Sequence, residues 1–419
     1  MNRYLTSIIV TVFFQIACAQ DMPRVRATVN ALSSYEMGGR GASGEGDKKA
    51  ATYLVDRFSA MKLLYKNDSY LQYFTYNINT FPKEPLLKLD GKKIRAGYDF
   101  IPDPSISKTS LKLKQQFLDS ATASDSLKLR NFLKNASSKK ILVYNESYQK
   151  KLLKKDPYNL AKLDQYGAQA ILRNKKLTLG LSDHQESQPL VEVMNPAWNR
   201  TAKKIQLQVE PTLITNYKSA NIAGFIPGTE NPDSILVITA HYDHLGRMGD
   251  SIYFPGANDN ASGISMLLEL ADYYTQHPPK YTIWFIAFSG EEAGLIGSKY
   301  FTEHPLFPLK NIRFLINLDL MGSGDEGMMA VNGTVFTKEF ALLEKINNEN
   351  KFLTTVKKRG KAANSDHYFF SEKGVPAFFF YTLGGGTAYH DVYDVAETLP
   401  LSRFQEVFSL LKVFIGELQ

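Results

Sequence analysis

Two histidines and a set of carboxylates between residues 241 and 390 hold the chemistry this sequence could do. In chain order they are His241 and Asp243 in His241-Tyr242-Asp243, Asp259 in Asp259-Asn260, the pair Glu291-Glu292, Asp319 in Asn317-Leu318-Asp319, and His390. Neutral imidazole nitrogens and carboxylate oxygens form a hard-to-borderline ligand set that suits Zn²⁺, and there are enough of them for two ions sharing one carboxylate. Each motif alone has a plainer explanation. His-x-Asp is common, Asp259 could be an N-cap, and two glutamates at a helix start suit its dipole. Five such coincidences at successive strand ends are far less probable than one shared site. The set therefore reads as a two-metal hydrolase.

The elements around these residues are of the kind that would gather them. The runs Ser234 to Ala240, Tyr281 to Phe288, Ile312 to Leu318 and Val375 to Tyr381 are continuously apolar. Such runs are strands buried on both faces. The helix expected over Gly263 to Tyr274 places Ile264, Leu267, Leu268 and Ala271 on one side. Strands alternating with helices predict an α/β fold with a mixed, mostly parallel central sheet flanked by helices, and such sheets present their functional groups at the carboxyl ends of strands. In extended chain residues i and i+2 point the same way, so Asp243 is expected to take the second N–H of His241.

The rest of the chain divides by pattern. Residues 20–82 carry a helix over Asp47 to Leu63 and a strand-like run from Tyr70 to Tyr76. Residues 83–212 read as a smaller β-rich insert of short strands, such as Lys140 to Tyr144 and Ala168 to Leu172, separated by lysine-rich turns. Residues 213–419 carry the metal motifs. Between Lys108 and Lys176 there are 16 Lys and Arg against 5 Asp and Glu, which exceeds the net +7 of the whole chain. No nucleic-acid motif accompanies that surplus, so it reads as a solvated basic surface and no nucleic-acid partner is expected.

Residues 1–19 have the form of a secretory signal peptide: Arg3, an apolar stretch from Leu5 to Ala17, and Ala17-Cys18-Ala19 as a cleavage site. Acylation at Cys18 is the weaker reading, because Gln15 stands where a branched apolar residue is usual. Either way the single cysteine of the chain falls in the leader and a disulfide within the remainder is excluded. The body contains no apolar run long enough to span a bilayer. A periplasmic or secreted protein is expected.

The wording of the motifs is specific when taken together. Asp259-Asn-Ala-Ser-Gly263, Phe288-Ser-Gly-Glu-Glu-Ala-Gly-Leu-Ile-Gly-Ser298, Asn317-Leu-Asp-Leu320 and Tyr389-His390 resemble the co-catalytic dizinc exopeptidases of the aminopeptidase Y and glutamate carboxypeptidase II type. The resemblance is close from Leu213 onward and loose over Tyr35 to Phe58, and residues 83–212 resemble a protease-associated insert. It implies one zinc on His241 and Asp319, a second on Glu292 and His390, and Asp259 bridging them with a cis peptide bond to Asn260. It further implies Glu291 as general base, Asp243 as orienter of His241, Tyr389 as a helper at the substrate carbonyl, and Ser365-Asp366-His367 lining the substrate side with His367 not a ligand. Peptides would be the substrates and hydrolysis from the amino terminus the activity. Carboxypeptidase action, a glutaminyl-cyclase-like activity on one zinc, and a non-enzymatic binding role stand as alternatives.

Overall fold

A computed structural model describes residues 21–152 and 156–419; the expected signal peptide, residues 1–19, lies outside them. Two eight-stranded sheets organise the described chain. The first runs in the order Leu71–Thr80, Thr212–Ile226, Tyr281–Phe288, Asn231–His241, Ile312–Leu318, Ala377–Thr382, Met328–Val331 and Val356–Arg359. Its four central strands are parallel, and the strands on either side pair with them antiparallel. The result is the mixed α/β architecture expected.

Period two assigns the side chains of the central strand to two cores. Leu236, Ile238 and Ala240 face one apolar layer together with the helices Met22–Leu32, Gly46–Ala60, Gly263–Gln276, Thr337–Asn350 and Phe404–Glu417. Ile235 and Val237 face the other, with Phe301 and Phe370 from the short helices Ile296–Glu303 and His367–Glu372. Burial on both faces is why these strands lack polar alternation. It also leaves their carboxyl ends as the natural outlet for polar groups.

The sheet's edge was less legible. Val356-Lys-Lys-Arg359 looks too charged for a strand. It is the outermost strand, where exposed lysines are tolerated and discourage edge pairing.

The chain leaves the first sheet at Thr80 and re-enters it at Thr212, directly opposite. Between these points lies the second sheet, with strands including Leu86–Leu89, Thr109–Phe117, Lys140–Asn145, Ala168–Arg173, Leu190–Met194 and Ile205–Val209. This unit is not simply strands and turns. Helices Ser126–Leu133 and Pro157–Leu163 occupy two of the lysine-rich connections, because Asp125 and Asp156 cap their free N–H groups and Leu129, Leu133 and Leu163 pack onto Leu142, Tyr144 and Ile171. The other face of the second sheet shares a core with Leu245, Met248, Phe254 and Val392, which belong to segments next to the metal motifs.

Candidate metal centre

The motif residues converge at the carboxyl ends of the central strands. His241 is the last residue of its strand, and Asp319 directly follows Ile312–Leu318. Asp259 sits in a wide turn, Ala257–Ser262, that leads into helix Gly263–Gln276. The Asn260 side chain ties this turn to the neighbouring strand by donating to Leu318 O at 3.0 Å and accepting from Gly263 N at 3.0 Å. The Asp259–Asn260 peptide bond is cis, as the resemblance implies.

Asp259 lies between the two histidines. One oxygen, Oδ1, is 3.3 Å from His241 Nε2, and the other, Oδ2, is 3.1 Å from His390 Nε2. Asp319 Oδ1 stands 3.4 Å from the same His241 nitrogen, and Glu292 Oε2 stands 3.0 Å from His390 Nε2. His241, Asp259 and Asp319 each offer a ligand atom within 4.8 Å of the others, as do His244, Asp259 and Glu292. Nearly all of these side chains are buried.

The donor set fits divalent cations. Asp319 Oδ1 is buried and makes no hydrogen bond, although burying such a carboxylate oxygen without a partner is costly. The clustered carboxylates also act on the imidazoles. Burial lowers the pKa of His390, yet the charges of Glu292 and Asp259 outweigh it and push it up to about 11. Burial also opposes the charge on His241, but Glu291 and Asp319 raise it well above the usual histidine range. Burial raises Asp259, while hydrogen bonds from the two histidines hold it well below the carboxylate range. Glu291 is pushed well up by burial, against the pull of His241 and with the help of Glu292. Positive charge is therefore what this cluster recruits.

The surrounding residues fix the ligands, and here the structure departs from expectation. His241 Nδ1 bonds the main-chain carbonyl of Asp243 at 3.2 Å, not its carboxylate, which is 3.8 Å away. The strand ends at His241, so residues 241 and 243 do not share an extended face. The Asp243 carboxylate instead accepts the main-chain N–H groups of Glu291 and Glu292 at 3.2 and 3.3 Å and so holds the glutamate turn. Those glutamates do not open a helix directly; helix Ile296–Glu303 begins after a turn.

Behind Asp319 runs a buried relay. Thr239 Oγ1 donates to Asn317, Asn317 donates to Ser365 Oγ at 2.7 Å, and Ser365 Oγ donates to Asp319 Oδ2 at 3.3 Å. Ser365, Asp366 and His367 are all buried, and of the three it is Ser365 that bonds Asp319. Burial lowers the His367 pKa to about 4, and the ring packs on Phe379.

Sequence reasoning passed over three residues. His244 Nδ1 lies 2.7 Å from Glu292 Oε1 and orients that carboxylate. Its place three residues after His241 was the available signal. Asp394 accepts from Asn258 N and Asp259 N at 2.9 and 3.0 Å. Arg40, wholly buried, donates to the carbonyls of Leu32, Tyr242, Pro255, Gly256 and Asp259.

A cavity of about 210 Å³ opens onto His241, Asp259, Glu291, Asp319 and His390, with Tyr389, Phe379, Tyr381 and Arg359 in its wall. Tyr389 stacks on His390 with ring centroids 3.9 Å apart. The arrangement can bind two cations beside a carboxylate, Glu291, that is free to move a proton.

Comparison with known proteins places this architecture. The family model described as peptidase family M28 matches residues 221–415. Aminopeptidase YwaD of Bacillus subtilis is 29% identical over 273 residues, covering 60% of this chain and 57% of that protein. A probable zinc metalloprotease of Pyrenophora tritici-repentis is 40% identical over 114 residues, 26% of this chain and 23% of that protein. This chain thus aligns with little more than half the length of the first relative and less of the second. Among solved structures, a zinc aminopeptidase from Bacillus subtilis superimposes with a TM-score of 0.71 at 22% identity, covering 94% of each chain. A peptidase M28 precursor from Shewanella amazonensis gives 0.72 at 16% identity, covering 96% of this chain and 94% of that one. At such identities these structures speak for the fold. Every ligand candidate falls inside residues 221–415, the segment that matches the model of peptidase family M28.

Proposed function

We propose that this chain is an exported zinc aminopeptidase holding two Zn²⁺, which removes N-terminal residues from peptides. The observation that carries the reading is the position of Asp259, whose two oxygens each face a different histidine at 3.3 and 3.1 Å. Such a carboxylate would bridge one ion on His241 and Asp319 and another on Glu292 and His390. Three carboxylate charges against +4 leave a small positive excess suited to an anionic transition state. When bound, the ions supply Lewis-acid polarisation of the scissile carbonyl and of water.

The chain's own residues supply the rest. Glu291 lies in the cavity wall and, kept ionised by the positive charge of bound cations against the burial that raises it, would accept a proton from water and deliver it to the leaving amine; a base in that role is worth about 10²–10⁴ in rate. Asp243 fixes the turn that aims Glu291 and Glu292. Partial desolvation and the nearby charges of Asp259 and Glu292 raise the Tyr389 hydroxyl above its ordinary range, so it stays protonated and can donate to the carbonyl oxygen. The amino-terminal direction is supported by the names of the relatives, aminopeptidase YwaD and a zinc aminopeptidase. Export is supported by the leader-like residues 1–19.

The test is mass-spectrometric. The purified chain lacking residues 1–19 is incubated with peptides, half of them N-acetylated, with and without chelator and zinc. Stepwise loss of N-terminal residues from free peptides alone, abolished by chelator and restored by zinc, is expected. Trimming from the C-terminus, or cyclisation of N-terminal Gln with one zinc per chain, would overturn the proposal.

A further inference from the structure

The insert reaches the metal centre through the segment around Leu179. Between strands Ala168–Arg173 and Leu190–Met194 the chain runs out to the glycine-rich loop that carries Tyr389 and His390. Leu177 and Leu179 are buried there, in the core shared with Val392 and Leu245. With its side chain anchored, Leu179 contacts His390 through its main chain. Its N–H donates to His390 O at 3.0 Å, and its carbonyl lies 3.1 Å from His390 Nδ1. A carbonyl can only accept, so this contact places a proton on Nδ1 and leaves Nε2 as the nitrogen that faces Asp259 and Glu292.

Lys176 completes the contact. Its ammonium donates to Thr387 O at 3.1 Å and Tyr389 O at 3.2 Å, and it lies 5.3 Å from the centre of the Tyr389 ring. The loop needs such external ties. Gly384, Gly385 and Gly386 give it a large conformational freedom to lose, and His390 adopts a left-handed φ of +54°, which residues with a Cβ disfavour.

We propose that segment 176–179 of the insert is a clamp for the final metal ligand, with Lys176 as a positioning residue. It holds the loop so that the His390 imidazole presents Nε2 to the ion shared with Glu292 and Asp259. Docking of the insert and affinity for that ion are therefore linked, each strengthening the other. The inference rests on the reading of His390 as a ligand.

The test compares the wild-type chain with Lys176→Met and Lys176→Arg. Lys176 is only partly buried, so both variants are expected to fold. Amide exchange of residues 384–391 is followed in metal-free protein, and the two zinc dissociation constants are measured against a competing chromophoric chelator. Lys176→Met should exchange faster across the loop and bind one zinc about 10–100-fold more weakly, as loss of an outer-shell support does, with the other zinc unchanged. Lys176→Arg, which keeps the charge and the donors, should restore both readouts. Unchanged exchange and unchanged zinc affinities in Lys176→Met would overturn the clamp, as would faster exchange with both affinities intact. A wild-type chain that takes up no zinc would overturn the dizinc reading instead, and loop exchange alone would then decide whether the clamp exists.

Discussion

The guanidinium of Arg40 donates to the main-chain carbonyl of Asp259 at 3.1 Å, across more than two hundred residues of chain. The same group holds Tyr242 O next to His241 and Gly256 O at the start of the Asp259 turn. Asp394 meanwhile holds the Asp259 N–H. The residue whose two oxygens face the two histidines is thus fixed on both sides of its main chain by groups remote in sequence.

Arg40→Met should unfold at clearly lower denaturant. It leaves several buried carbonyls without a donor, at about 1–3 kcal/mol each before relaxation. Arg40→Lys should recover only part of the loss, since an ammonium cannot reproduce the planar fork. Denaturant titration of both variants measures this. A midpoint for Arg40→Met equal to wild type would refute the tethering role.

Glu291→Gln should retain both metals and lose at least about a hundredfold in turnover, because it removes the proton acceptor and keeps the shape. Metal analysis alongside steady-state kinetics checks both parts. Turnover close to wild type would exclude Glu291 from the proton path.

His244→Phe preserves the ring and removes the nitrogen beside Glu292 Oε1. One zinc should bind about 10–100-fold more weakly while the zinc on His241 and Asp319 is untouched. Competitive chelator titration separates the two. Equal weakening of both ions would show that His244 acts on the whole site and does not specifically orient Glu292.

Asp47 gives a pH dependence away from the metals. Its buried carboxyl accepts from Tyr217 and Ser219, and burial, opposed by those bonds, raises its pKa above the ordinary value of 3.8. The folded state therefore binds the proton more tightly than the unfolded state. The resulting stability is fully present below the unfolded pKa and is lost as pH rises through the raised folded pKa. Wild type minus Asp47→Asn should accordingly fall in stability on going upward from about pH 4. Unfolding curves of the pair at several pH values measure the difference, and a flat difference would contradict it.

Chelation should lower the melting temperature, and zinc should restore it. A ligand at a thousand times its dissociation constant stabilises the folded state by about 4 kcal/mol. An unchanged melting curve after verified removal of metal would count against an integral centre.

Some of this was written in the sequence. Apolar runs such as Tyr281 to Phe288 identify strands buried on both faces, and a polar residue immediately after such a run, as at His241 and Asp319, can only emerge at the strand's end. Those rules are local, so the ligand candidates and the parallel centre of the sheet were legible. The tertiary structure decided what local rules do not reach. It turned the Asp243 carboxylate from His241 to the glutamate turn, because the strand stops one residue too early for the two to share a face. It buried Ser365-Asp366-His367 behind Asp319 and brought Arg40, Asp394 and Leu179 to the ligands from distant parts of the chain. Which buried donor meets which buried acceptor depends on how the layers pack, and no periodicity along the chain encodes that.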